Sequence, residues 1–400
     1  MSSEYFEAAN QLRESGKLDE AIAYYRKAIE IYPTDSSIHH SLGDVLLQRR
    51  KSDLEEAIAA YRRVIDTNPE NLQACEKLLQ IQPDSVEILS FLEKVFRRQG
   101  EHEKALYCCQ RLIEINPHSA EAQMNLGNML LIKGKLEDGL RCHYKSNKIR
   151  LSTGNLNSKL PAILLNTLPK SGSVYILNAL ASGLQIKTLR ISSLFFPGAR
   201  IILDQIEGLA AGMAIAQEHL CADLVNMNIL SCYLDKILIN VRDPRQAMIS
   251  WVHHVERLKN EMPSVLLRSP SLSLFCENYF SMSFTDKISW QIEKGYLPEA
   301  IKFIEGWCNA SESKTFIPKI LFTKQEDLAS NPEFFFNSIL DFMEIDKKNF
   351  IFPATPKEGH LHYRKGKVDE WREIFTPEQA ERASNIIPKQ ILERFGWLST

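Results

Sequence analysis

The chain has 400 residues, 44% of them hydrophobic and 24% charged, which is too much for one comfortable core and suits two or more ordinary globular domains. A formal net charge of -2 excludes a nucleic-acid binder that works through a global positive field, so any anion site must be built locally.

The N-terminus, MSSEYFEAANQLRESGKLDE, is amphipathic and acidic. It lacks the basic start and continuous apolar stretch of a signal peptide. No apolar run approaches the roughly 20 residues needed to span a bilayer, and the longest candidate, 160–168, is strand-sized. The 8 cysteines show no CxxC, and their spacing to the 10 histidines matches no metal site. Buried thiols in a cytoplasmic protein, with no membrane span and no metal, are the expectation.

The first third is repetitive. Pro33, Pro69 and Pro117 close the similar phrases AIEIYP, VIDTNP and LIEINP. The first unit places Tyr5, Ala8, Ala9 and Leu12 on one helix and Ala21, Tyr25 and Ala28 on the next. The second has Leu42, Gly43 and Leu46, then Ala57 and Tyr61. The third has Leu89, Leu92 and Phe96, then Ala105 and Leu112, and the fourth has Leu126, Gly127 and Leu130, then Gly139. Between the second and third units, NLQACEKLLQI has length for one helix only, which predicts a degenerate repeat. Small residues let paired helices approach, and proline stops the second helix of each pair. Residues 2–150 resemble the tetratricopeptide repeat (TPR). That resemblance implies a helical solenoid with a concave groove for a protein or peptide partner. The alternative is an array that merely supports or dimerises the C-terminal domain.

Residues 151–160 (LSTGNLNSKL) break the helical period and read as a linker, separating a repeat domain at 1–150 from a second domain at 161–400. PAILLNTL then reads as a buried strand, PKSGS as a turn, and VYILNALASGL as a helix. Strand, Gly/Ser turn and helix start together make an anion cradle, because backbone N–H groups and the helix's partial positive charge point the same way. Lys170 and the hydroxyls of Ser171 and Ser173 add donors. The lysine comes too early for a Walker A loop, and an ordinary strand-to-helix turn is the competing reading. DKILINV is a second buried strand ending at Arg242, where open α/β sheets bind ligands. Pro244 opens the next helix, with Ser250 about two turns in. Near the C-terminus, HYRKGKVDEWREIFTPEQ offers Arg364, Lys365 and the unhindered Gly366 as a second phosphate would require.

In this order the three pieces resemble the cytosolic-type sulfotransferase family over roughly 160–397. The resemblance implies an α/β domain with a central parallel sheet behind the solenoid. It implies a sulfuryl donor, 3′-phosphoadenosine-5′-phosphosulfate (PAPS), that is released as PAP without a metal. The acceptor it implies is a hydroxyl, with a peptide, a glycan and a small alcohol or phenol all open. Residues 169–173 correspond to the family's 5′-phosphosulfate loop, so Lys170, Ser171, Gly172, Ser173, Val174 and Tyr175 are carried over as donor-binding. Arg242 and Ser250 correspond to its 3′-phosphate site, and 364–371, led by Arg364, Lys365 and Gly366, to its closing segment. ILFTKQEDLASNP is similar to the family's strand ending in Y-E-D-L before an N-P turn. The resemblance makes Lys170 the group that stabilises the leaving oxygen. His219, in MAIAQEHLCAD, becomes the general base, since an imidazole titrates near neutral pH; Glu218 is its reserve.

The chain departs from the family where Ser173 and Val174 replace threonines, Tyr175 a tryptophan and Gln325 a tyrosine, and where Asp369-Glu370-Trp371 replaces Gly-Asp-Trp. His253 and His254 read as lining or packing. Residues 260–296 read either as part of an acceptor site or lid or as core helices with a loop. Two competing functions stand beside transfer. One is a non-catalytic TPR scaffold with a decayed nucleotide-binding domain. The other is a kinase in which Asp243 holds magnesium.

Overall fold

A computed structural model describes residues 4–49, 53–68, 71–152, 160–193, 196–261, 274–352 and 368–398. The chain divides into two compact units, Met1–Cys142 and His143–Thr400.

The first unit is built from α1 (Glu4–Glu14), α2 (Leu18–Ile31), α3 (Ser36–Arg49), α4 (Leu54–Thr67), α5 (Leu72–Ile81), α6 (Val86–Arg98), α7 (His102–Ile115), α8 (Ala120–Ile132) and the start of α9 (Leu136–Ser152). Helices pair as the repeat pattern predicts, and α5 stands alone in the degenerate repeat. One shared core holds Ala21, Tyr25, Leu42, Tyr61, Leu92, Phe96 and Leu112. Gly43 shows why a small residue is required. A Cβ there would sit 2.8 Å from the Tyr61 ring, closer than carbon atoms pack. Tyr61 then donates its hydroxyl to Asp44 Oδ1 at 2.5 Å, so the ring is held at both ends. Pro69 lies outside the described residues.

The second unit continues with β1 (Ile163–Thr167), α10 (Ser173–Leu184), β2 (Lys187–Leu189), β3 (Ser192–Ser193), β4 (Arg200–Ile201), α11 (Leu203–Ala210), β5 (Ala214–Glu218), α12 (Leu224–Tyr233), β6 (Lys236–Val241) and α13 (Pro244–Glu261). It ends with α14 (Phe284–Glu293), α15 (Tyr296–Glu312), β7 (Lys319–Lys324), α16 (Gln325–Ser330), α17 (Pro332–Phe342), α18 (Trp371–Ile374), α19 (Pro377–Ile386) and α20 (Lys389–Phe395). The last turns of α9 belong to this unit. Asn147 Nδ2 donates to Cys232 O at 2.8 Å, Lys148 pairs with Asp235 at 2.6 Å and Arg150 with Glu207 at 2.7 Å. Most of the expected linker, 153–159, lies outside the described residues.

Five strands form one parallel sheet in the order β2-β5-β1-β6-β7. Residues of β1 alternate between two cores. Ile163 and Leu165 join Ile176, Leu180 and Phe336 from α10 and α17, while Leu164 joins Met248, Val252 and Trp307 from α13 and α15. Burial on both faces explains why the strand reads as a continuous apolar run rather than an alternating one. Tyr279, Ile288, Ile292 and Tyr296 all lie in the larger core. The described part of 260–296 therefore packs on the core, as irregular chain over 274–283 and as helix from Phe284; 262–273 lies outside the described residues. Among the described residues no helix is long and apolar enough to cross a membrane, and all eight cysteines are free thiols.

Candidate active site

The chain leaves β1 to one side and returns to build β6 and β7 on the other, so the strand order switches beside β1. Ligands bind open α/β sheets at such a point, beyond the carboxyl ends of the strands. The register brings those ends level: Asn166 faces Glu218, Thr167 faces Asn240 and Val241 faces Lys324. Lys170, His219, Arg242 and Gln325 each follow one of these ends.

The 169–173 turn is held from below. The Ser171 hydroxyl donates to Leu168 O at 2.6 Å and accepts from Asn240 Nδ2 at 3.0 Å. Asn240 Nδ2 also reaches Ser171 O at 2.7 Å. This corrects the expectation that the Ser171 hydroxyl meets a ligand: it is fully buried and braces the turn. Tyr296 was not singled out in the sequence, yet its hydroxyl donates to Pro169 O at 2.5 Å while its ring stacks on Trp251, 5.4 Å between centroids. Lys170 and Gly172 both adopt left-handed backbone, with φ of 70° and 80°. For lysine that conformation is strained, as is common where a side chain must be aimed. At Gly172 a Cβ would also stand 2.0 Å from Gln325 Oε1, so that side chain would have to swing away.

Ser173 opens α10, and no side chain caps that helix start. Its first N–H groups and dipole suit an anion. Val174 follows, and Tyr175 packs edge-on against Phe336 at 6.4 Å. Arg242, at the end of β6, donates from Nη1 to Lys170 O at 3.1 Å and so ties two strand ends together. Ser250 lies on α13, partly buried.

Asp243 has another partner. Its carboxylate takes Arg245 Nη2 at 2.7 Å and Nε at 3.0 Å, in a pair that is almost wholly buried. Arg245 also donates to Trp397 O at 2.7 Å and lies 4.0 Å over the Trp371 ring. A carboxylate so committed does not hold magnesium, which removes the structural basis of the kinase reading. Trp371 N donates to Gln246 Oε1 at 3.2 Å, docking the 369–371 segment on the first turn of α13. Arg364, Lys365 and Gly366 lie outside the described residues.

His219 stands immediately after β5. Its Nδ1 lies 2.7 Å from Thr167 O. A carbonyl only accepts, so Nδ1 carries the ring proton and Nε2 presents a lone pair. Burial, aided by Lys170 and Arg190 and opposed by the Thr167 bond, pushes the imidazole down to about 4. Two residues hold the backbone behind it. Asn166 pairs with Leu220 N at 2.7 Å and Leu220 O at 3.0 Å, and Trp307 Nε1 donates to Leu220 O at 2.8 Å. Neither carries a motif, so sequence offered no signal beyond a polar residue in an apolar strand for Asn166 and an aromatic in a helix for Trp307.

Glu218 differs from its reserve-base expectation. Oε1 accepts from Ile191 N at 2.6 Å and from Ser192 N at 3.2 Å, and Oε2 accepts from the Ser192 hydroxyl. It braces the chain beyond β2, and burial raises its pKa. A cavity of about 460 Å³ opens beside His219, bounded by Leu177, Thr188, Arg190, Ser192 and Gln217 among others. That volume is in the range of small-ligand pockets. His253 packs on Phe284 at 5.2 Å and His254 near Trp251 at 6.2 Å.

A model of the sulfotransferase domain matches residues 160–395, more than half of the chain. The chain belongs to the sulfotransferase family. Ahead of the sulfotransferase domain, TPR models match residues 9–49 and 36–71. Mouse sulfotransferase SULT7A1, solved in complex with PAP, is 17% identical, covering 56% of this chain and 81% of its own, at a TM-score of 0.37. YrrB, a TPR protein with an unusual peptide-binding site, is 20% identical, covering 36% of this chain and 84% of its own, at 0.21. MamA from Desulfovibrio magneticus RS-1 is 15% identical, covering 38% and 96%, at 0.19. No curated protein matches significantly. The chain is thus an enzyme of sulfuryl transfer with N-terminal TPR repeats and a central five-stranded parallel sheet.

Proposed function

We propose that this sulfotransferase moves the sulfuryl group of PAPS to a hydroxyl on a peptide, glycan or small alcohol or phenol, and that its repeat unit holds a protein or peptide partner. The observation that carries the reading is a meeting at one end of the sheet. An uncapped helix start lies over the 169–173 turn, and the neighbouring strand end presents an imidazole with its Nε2 lone pair fixed.

The turn suits a phosphate group, because left-handed backbone at Lys170 and Gly172 leads the chain straight into a helix start that no side chain caps. Lys170, Gly172, Ser173, Val174 and Tyr175 then hold the 5′ end through charge and backbone N–H groups. Arg242 and Ser250 hold the 3′-phosphate; Arg364, Lys365 and Gly366 join them on family resemblance alone. The acceptor oxygen forms a bond to sulfur as the bond from sulfur to the bridging phosphate oxygen breaks, and that electron pair leaves with PAP. The acceptor's proton passes to His219 Nε2. The Lys170 ammonium meets the negative charge growing on the leaving oxygen.

Thermal unfolding of the full chain with added nucleotides tests the donor. PAP at 100 times its Kd adds about 2.7 kcal/mol of stability, and ATP at the same concentration adds much less. Equal shifts from the two nucleotides overturn the assignment.

A further inference from the structure

Gln217 stands two residues before His219, so the period of a strand puts both on one face of the β5 line. Its Nε2 lies 3.2 Å from Glu218 O, 3.2 Å from Thr167 Oγ1 and 3.3 Å from His219 Nε2. The first contact orients the amide: a backbone carbonyl only accepts, so nitrogen faces it and Oε1 does not. The second amide hydrogen is left to the pair formed by Thr167 Oγ1 and the His219 lone pair.

An N–H donor in that position tolerates only neutral imidazole. An imidazolium presents its own N–H at Nε2, donor against donor. Turning the amide over would relieve that clash but would set Oε1 against Glu218 O. The amide nitrogen therefore stands 3.3 Å from the lone pair that the acceptor hydroxyl must reach.

We propose that Gln217 is a positioning residue that keeps His219 neutral and its Nε2 covered until the acceptor hydroxyl displaces the amide. The inference rests on the reading of His219 as the base. Other charges around the ring act in the same sense. Lys170 from the 169–173 turn and Arg190 from the end of β2 both oppose an imidazolium, while the Glu218 carboxylate is turned to Ile191 and Ser192. Thr167 is the only neighbour among the described residues that favours protonation, through its carbonyl on Nδ1.

The test is an NMR titration of the histidine ring protons in the full chain, with the His219 signal assigned by its loss in His219→Asn. Gln217→Glu replaces a donor with an acceptor and moves the His219 protonation equilibrium at least about tenfold towards imidazolium, one pKa unit. Gln217→Met, of similar length and without the amide, moves it less and in the same direction. It also lowers the acceptor KM while kcat holds, because no donor has to be displaced. A residue that merely supports the strand would lose kcat and stability together and leave the Gln217→Met titration unmoved, whereas the new carboxylate of Gln217→Glu shifts the ring by its charge in either case. An unchanged His219 titration in Gln217→Met overturns the proposal; if that variant does not fold, an unchanged titration in Gln217→Glu does so. Turnover that survives His219→Asn overturns the base assignment instead, a result the Gln217 titrations do not share.

Discussion

At His219 a carbonyl, two cations and burial act on one ring, and together they decide its chemistry. Thr167 O selects the tautomer, while desolvation keeps the ring uncharged. His219→Ala should leave PAP affinity within a few-fold and lower turnover by about 10²–10⁴, the usual worth of a general base. Unchanged turnover on a working acceptor removes His219 from the mechanism. Histidine after a strand was legible as a candidate, but its tautomer was not. The partner that selects it sits 52 residues away in sequence, on a strand that only the sheet brings alongside.

Among the elements, α13 carries the most. Its first turn holds the Asp243–Arg245 pair and the Gln246 contact to Trp371, and its third faces Tyr296 through Trp251. Asp243→Ala leaves the Arg245 guanidinium buried without its carboxylate, a loss of about 3–5 kcal/mol. Chemical denaturation measures it, and a loss below about 1 kcal/mol, as for an exposed pair, contradicts the burial described. Sequence showed β1 and β6 clearly, since buried parallel strands are dense apolar runs bounded by turns, while the half-exposed β7 was visible only through the family resemblance. The short β2, β3 and β4, of two or three residues each, carry no such run. Segment 274–296 was ambiguous because its aromatic residues suit a core and a lid equally. Their partners on α13 and α15 decide the matter.

For the whole molecule, pH acts through groups whose charge the fold resists. His219 falls to about 4 in the native state from an ordinary 6.5. Between those values the unfolded chain binds a proton that the native chain refuses, so stability falls as pH drops from about 6.5 towards 4 and is unaffected by this group above that window. The loss reaches on the order of 2–3 kcal/mol at the low end. His219→Asn removes the titrating group, so its stability should fall less steeply than wild type across that window. Parallel curves for the two proteins in denaturant titrations contradict the assignment.

Sequence alone determined the order of the parts: a proline-punctuated helical repeat, then a strand, an anion turn and a helix, then a second strand ending in arginine. These are local matters, set by residue periodicity, turn chemistry and spacing along one stretch of chain. Tertiary structure decided what the side chains do. It turned Ser171 inward, gave Glu218 to the chain beyond β2, closed Asp243 on Arg245, brought Tyr296 under the anion turn and set Gln217 against the His219 lone pair. The physical reason is that a hydrogen bond is satisfied by whichever partner lies within about 3 Å. The Asp243–Arg245, Gln217–His219 and Ser171–Leu168 contacts close within two or three residues, whereas the others were set by strand register and by helices packed from remote parts of the chain.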